Sequence, residues 1–286
     1  MNKNILSFLL ITSFLLLLLP GDTFANNNNN LSEQKMDKIL INSGYPRGQL
    51  SNLNFFEKRM IIENSGTNLK FDNLYTETYQ QNSVTGKLTK INPNKVHKLD
   101  NIPTTTLKLT FQSFDMLVNK KYYKDIYLTY EWKSTPGNSF YGRYGISRDS
   151  IGIAVPKDWN IIAGQYSCGS QTKYNNKGSW YDSTSTWCPN TDTKRPTEIN
   201  MYGASWQFKK DTIGNRGVKS VYKGTVKLRM QALKSKAQRR VVGKYAQSVP
   251  DVFGGYSVSV GWGPASITYT PTTGKTNQQP IDFNFK

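Results

Sequence analysis

Between Lys209 and Lys244 the sequence carries twelve basic residues, Lys209, Lys210, Arg216, Lys219, Lys223, Lys227, Arg229, Lys234, Lys236, Arg239, Arg240 and Lys244, against one acidic residue, Asp211. Cations at that density repel one another unless something opposes them, so the run points to an anionic partner. Its spacing suggests how the charges are presented. Val226, Leu228 and Met230 alternate with Lys227, Arg229 and Gln231, a period of two. Successive side chains of a strand point to opposite faces, so Lys223, Lys227 and Arg229 form a row on the outer face while the apolar set turns to the core. Lys234, Lys236, Arg239 and Arg240 then fall in a turn, and Lys244 follows Val241 and Val242. A helix from Leu228 through Val242, with Leu233, Ala237 and Val241 four apart, is the rival arrangement; the strict alternation favours the strand. Lys223, Lys227, Arg229, Lys234, Lys236, Arg239, Arg240 and Lys244 are the candidate anion-binding set.

Carboxylates offer a second chemistry. Glycoside hydrolysis needs two of them across a sugar ring, and Asp125, Glu131, Asp149 and Asp158 lie on or beside apolar alternations. Glu131, between Tyr130 and Trp132, and Asp125 are the weak catalytic candidates, because cations outnumber acids about two to one and ion pairing accounts for them equally well. The single histidine, His97, sits among Lys95, Lys98 and Pro93, and no Gly-x-Ser-x-Gly elbow is present. One histidine and two cysteines exclude multi-histidine metal sites and zinc ribbons, so neither a metal nor another cofactor is expected.

The two cysteines, Cys168 and Cys188, have no other partner in the chain. In an oxidising compartment a disulfide between them closes a polar loop and contributes about 3 kcal/mol in the chain-entropy account. Trp180, Tyr181 and Trp187 lie within it. Such rings stack on sugars, sit at a lipid interface, or anchor the loop against the sheet.

The chain as a whole has 286 residues and a formal net charge of +18, from 37 Lys and Arg against 19 Asp and Glu. Residues 1 to 100 hold 11 basic and 8 acidic groups; residues 101 to 286 hold 26 and 11, or +15. Solubility needs a net charge of only about 2 to 8 for a small domain. Arg is scarce beside Lys and no recognition helix is legible, which makes nucleic acid an unlikely and nonspecific partner. The expected partners are an anionic cell-wall polymer, an acidic glycan or an anionic lipid.

The elements that position these groups can be read in order. Lys3 precedes an apolar run from Ile5 to Leu19, followed by Pro20-Gly21 and Thr23-Phe24-Ala25, the pattern of a secretory signal peptide cut after Ala25. Residues 26 to 31 are an Asn-rich disordered spacer. Ser32 caps a short helix carrying Met36, Ile39 and Leu40, and Asn54 with Glu57 forms a capping box for a second. Together with a weakly patterned linker these make an N-terminal region from 32 to 100. Residues 66 to 101 read as loop with one hairpin arm around Lys87 to Ile91.

Beyond 100 the period is two: Leu107, Leu109 and Phe111; Ile126, Leu128, Tyr130 and Trp132; Ile151, Ile153 and Val155; Ala204, Trp206 and Phe208; Val226, Leu228 and Met230; and two shorter runs around Val258 and Ile267. Such a series, punctuated by Gly, Pro and Asn, predicts a mainly β domain over 101 to 286, an antiparallel sandwich or barrel. A secreted, non-enzymatic binding protein is the function these features fit best. A pore-forming toxin is the alternative, although Gly263-Pro264 leaves the Tyr256 to Thr270 hairpin short of a membrane-spanning strand pair of about 9 to 11 residues per arm. A carboxylate-dependent glycoside hydrolase is the other alternative.

Overall fold

The computed structural model describes residues 31–82, 87–91, 105–133, 148–176, 179–187, 196–209, 211–214, 217–249, 256–261, 266–271 and 275–286. The expected signal peptide, the Asn-rich spacer, His97 and Cys188 lie outside them.

The protein is mainly β, with two antiparallel sheets stacked as a sandwich and a short helical segment near the N-terminus. The helices are where the caps place them. Helix α1 (Glu33–Asn42) starts at Ser32, whose hydroxyl accepts from the Lys35 amide. Helix α2 (Phe55–Ser65) starts at Asn54, and both bonds of its capping box with Glu57 are formed. A 3-10 turn (Arg47–Asn52) joins the two.

The larger sheet runs in the order β2 (Leu88–Ile91), β1 (Lys70–Gln81), β3 (Thr105–Val118), β4 (Lys121–Trp132), β11 (Gly217–Ala232), β6 (Trp159–Asn176) and β7 (Ser179–Trp187), with β10 (Asp211–Gly214) also paired to β11. The smaller runs β15 (Lys275–Asn284), β12 (Arg240–Val249), β5 (Arg148–Ala154), β9 (Gly203–Lys209) and β8 (Glu198–Asn200). A separate hairpin pairs β13 (Tyr256–Gly261) with β14 (Ser266–Pro271).

Alternation decides which side chains meet between the sheets. Leu109, Phe111, Ile126, Leu128, Val226 and Leu228 of the larger sheet pack against Ile151, Ile153, Trp206, Tyr245 and Phe283 of the smaller. Gly243 permits this closeness: a Cβ there would lie 2.7 Å from both Leu128 and Phe111. On its other face the larger sheet presents Phe114, Met116 and Tyr127, which α1 and α2 cover with Met36, Leu40, Met60, Ile61 and Ile62. The molecule therefore has three layers: helices, large sheet, small sheet.

Two segments differ from the sequence reading. Residues 70–81, read as loop, are strand β1, which pairs with β3 along almost its whole length. Its alternation is masked because its outer positions are polar and its inner ones include Glu77 and Gln81, both buried and hydrogen-bonded. The stretch between Cys168 and Cys188 is not a loop at its start: β6 and β7 form a hairpin there. Gly, Ser and Asn are poor strand formers in isolation, and pairing with β11 overrides them.

Candidate functional site

Three of the candidate anion-binding residues do lie on the outer face of β11, but that face is not solvated. Lys223, Lys227 and Arg229 are roofed by the helical layer and ion-paired, because the outer faces of β4 and β11 carry opposite charges in register: Lys223 opposite Glu131, and Arg229 opposite Asp125. This corrects the expectation of an exposed basic row. A strand's parity fixes the face on which a side chain lies and says nothing of what covers that face.

Asp125, 0 % exposed, sits at the centre of one half of this seam. Arg229 donates to it through Nε at 2.7 Å and through a terminal nitrogen at 2.8 Å, and Ser65 Oγ from the end of α2 donates at 2.6 Å. Lys227 Nζ stands 3.4 Å away and also donates to the Gln165 carbonyl. Burial raises the carboxyl's pKa, but Lys227, Arg229 and Ser65 together bring it below the usual range. Burial pushes the Lys227 ammonium down to about 8 despite Asp125. In the other half, Lys223 Nζ lies 2.7 Å from Glu57 Oε2 and 3.2 Å from Glu131 Oε2. Burial raises the Glu57 carboxyl. Burial pulls Lys223 down, and Glu57 and Glu131 more than reverse it. Between the halves, the Thr129 and Thr225 hydroxyls bond each other at 3.0 Å.

Three cations thus face three carboxylates, Glu57, Asp125 and Glu131, and the seam is neutral. Its role is to join layers. Glu57 was legible only as a cap; that it also pairs with Lys223, 166 residues on, requires the fold.

Both carboxylates proposed for catalysis lie in this seam. Asp125 is sealed. Glu131 borders a cleft of about 320 Å³, counted with the solvent open to it, lined by Tyr45, Asn52, Glu57, Lys108, Gln112 and Lys223 among others. Glu131 and Glu57 both rest on the same ammonium there. Both carboxylates of this half are thus ion-paired to Lys223.

The remaining cations collect elsewhere. The ends of β3, β5, β11 and β15 and the starts of β4, β6, β9 and β12 converge on one end of the sandwich, tied by Leu233 N to Asp158 O at 2.8 Å, Phe285 N to Arg239 O at 3.1 Å and Val155 N to Tyr202 O at 2.8 Å. Trp159 bonds the Gln238 carbonyl and packs edge-on against Phe285. Lys234, Lys236, Arg239 and Arg240 lie at this end, in the turn and strand start that the alternation predicts. Lys234 is paired with Asp158 at 2.9 Å and Arg240 with Asp282 at 2.6 Å. Lys244 is drawn inward, donating to the Ile267 carbonyl at 2.8 Å, and burial lowers its pKa.

Lys236 and Arg239 are exposed and carry no ion pair among the described residues. Three cations outside the basic run join them: Lys157, after Pro156, and Lys120 and Lys121 at the β3–β4 turn. That turn has two residues, Asn119 at φ 49° and Lys120 at φ 61°, with Val118 paired to Lys121. Both positive angles fit a type I′ hairpin. Asn between two alternating runs is the sequence signal that could have located it.

Trp180, Tyr181 and Trp187 lie on β7, but their side chains are outside the described residues. Cys168 is buried and is not a free thiol; its expected partner Cys188 is likewise outside. The β13–β14 hairpin pairs over six residues in each arm. No helix among the described residues is long and apolar enough to cross a membrane.

No family model and no curated protein matches the sequence. Among solved structures, the chain is similar to AvmM, described as catalysing macrocyclisation in alchivemycin A biosynthesis, at 11 % identity over 57 % of this chain and 80 % of that one, with a TM-score of 0.24. It is also similar to the Clostridium perfringens NetB toxin in its membrane-inserted form, at 13 % identity over 74 % and 97 %, TM-score 0.23. A third is the collagen-binding domain of the Erysipelothrix rhusiopathiae surface protein RspB, at 7 % identity over 62 % and 65 %, TM-score 0.23. At these TM-scores none of the three bears on the function of this chain.

Proposed function

We propose that the protein is a secreted, strongly basic, non-enzymatic binding protein whose target is an anionic surface of a cell envelope or membrane. The observation that carries this reading is the gathering of Lys120, Lys121, Lys157, Lys236 and Arg239 at one end of the sandwich, exposed and without ion pairs among the described residues. The seam neutralises its own cations, while these five stand together at one end. A concentrated patch raises the local density of anionic ligand and speeds encounter in a salt-dependent way.

Retention on isolated cell walls and on phosphatidylglycerol-containing vesicles, measured over a salt series, tests this. Retention should weaken steeply with salt, because exposed charges are screened over about 8 Å at physiological ionic strength. Replacing the five residues with Gln should lower retention on at least one of the two surfaces about tenfold or more, since each cation near an anionic surface contributes on the order of 1 kcal/mol. Unchanged retention on both would overturn the reading.

A further inference from the structure

The same end of the sandwich carries a group of exposed apolar side chains. Seven large hydrophobic residues are exposed among those described, and four of them are here: Leu117 at 52 %, Tyr122 at 74 %, Leu233 at 65 % and Met201 at 66 %. Leu117 and Tyr122 are direct cross-strand partners at the tip of the β3–β4 hairpin. The β4–β11 pairing ends at Met230–Lys124, and Leu233 follows the end of β11 at this same end of the sheet, bonded to the Asp158 carbonyl. Met201 lies in the turn between β8 and β9, next to the Val155–Tyr202 bond that joins that turn to the end of β5.

Charge and apolarity are interleaved at this end. Lys120 and Lys121 are flanked in sequence by Leu117 and Tyr122, and Leu233 is followed by Lys234 and Lys236. The carboxylates nearby are each held already: Asp115 by Lys124 at 2.6 Å, Asp158 by Lys234 and Asp282 by Arg240. Asp72 shares Lys124 with Asp115, so each of these carboxylates has a cation beside it.

Resting on the reading above, we propose that this end docks on a lipid bilayer bearing anionic headgroups, with Tyr122, Leu117 and Leu233 entering the headgroup–acyl boundary while the five free cations engage the headgroups. The chemistry separates a bilayer from a wall polymer. A polyanionic polysaccharide offers charge and hydroxyls, and it gains little from Leu or Met. A bilayer interface offers charge above a hydrocarbon layer, and the favoured side chains there are amphipathic aromatics and aliphatics alongside Lys and Arg. The pairing of Leu117 with Tyr122 across a tight hairpin makes a narrow, rigid tip whose apolar pair has no cover of its own in the fold.

The test uses the full mature chain and two variants. Tyr122→Ser with Leu233→Ser removes apolar surface and keeps every charge; Lys120→Gln, Lys121→Gln, Lys236→Gln and Arg239→Gln together remove charge and keep the apolar tip. Co-sedimentation is measured with phosphatidylcholine vesicles, with the same vesicles containing phosphatidylglycerol, and with isolated cell walls. All sites are surface positions, and thermal unfolding checks that both variants fold. The apolar variant should lose about tenfold or more of its retention on phosphatidylglycerol vesicles and keep its retention on cell walls. If it keeps its vesicle retention, or if the unaltered protein sediments with walls alone, the bilayer assignment falls while the anionic-surface reading stands. If the charge variant is retained like the unaltered protein on every surface, both fall. A Tyr122→Trp variant adds a direct readout: its fluorescence should be quenched by vesicles of brominated phosphatidylglycerol, and an unquenched signal from bound protein places the tip outside the membrane and rejects the proposal.

Discussion

Arg229 holds Asp125 with two hydrogen bonds, 2.7 Å from Nε and 2.8 Å from Nη2, and the same Nη2 also donates to the Asn64 carbonyl at the end of α2. One guanidinium thus binds β4 to β11 and both to the helical layer. A planar fork satisfies this geometry, and a lysine at the same position could not.

Asp125→Asn should destabilise the protein by about 3 kcal/mol, because it leaves Arg229 and Lys227 buried without their counter-charge. Urea unfolding at neutral pH measures it. The acid limb also carries a sign. The folded carboxyl lies below its unfolded value, so its contribution is fully present above the unfolded pKa, about 3.9, and is lost as pH falls through the lower folded value. In the Asn variant that part of the acid decline should disappear; an unaltered acid limb would show that Asp125 is not charged in the fold.

Lys227→Met should have the opposite effect, stabilising by about 1 to 3 kcal/mol at neutral pH. Arg229 alone neutralises Asp125, and the second ammonium is carried at a cost. With a folded pKa near 8 and an unfolded one near 10.4, the unfolded chain holds more protons between those values. Stability from this group therefore rises with pH across that window and is lowest below it. Chemical denaturation from pH 7 to 10 should show the rise in the natural protein and its loss in the variant.

Asn54→Ala should cost more than an ordinary cap, which is worth about 1 kcal/mol. Asn54 caps α2 and also exchanges hydrogen bonds with Gln171 of β6, at 2.7 and 2.9 Å. A total near 2 kcal/mol is expected in denaturant unfolding. A loss equal to that of Ser32→Ala, whose side chain only caps, would show that the bond to β6 contributes nothing.

Lys120→Gly should stabilise the fold by about 1 kcal/mol, since Lys120 occupies φ 61° in a two-residue turn and Asn-Gly is the favoured pair there. A thermal shift upward, together with slightly weaker retention on anionic vesicles, is the expected pair of results. A downward shift would show that the lysine side chain contributes packing that its backbone angle conceals.

The sequence alone determined a good part of this protein. Both helices begin at their capping residues, Ser32 and Asn54, because a side chain that satisfies an amide three residues on is a local event. The apolar alternations of Leu107 to Phe111, Ile126 to Trp132 and Val226 to Met230 became the inner face of the sandwich, because the two-residue period is a property of any extended chain. The basic turn after β11 was legible for the same reason. What the tertiary structure decided is which faces are wet. Lys223, Lys227 and Arg229 read as exposed by parity, yet Lys223 and Lys227 are buried and Arg229 nearly so, since the carboxylates opposite them come from Asp125 and Glu131 about a hundred residues earlier and Glu57 earlier still. Strand β1 stayed hidden because its buried positions are polar and find partners only in the fold. The grouping of Leu117, Tyr122, Met201 and Leu233 with five free cations is invisible along the chain, because it is made by the ends of many strands turning at one level. Local bonding and periodicity are written in the order of residues; neutralisation and exposure depend on which distant segments arrive.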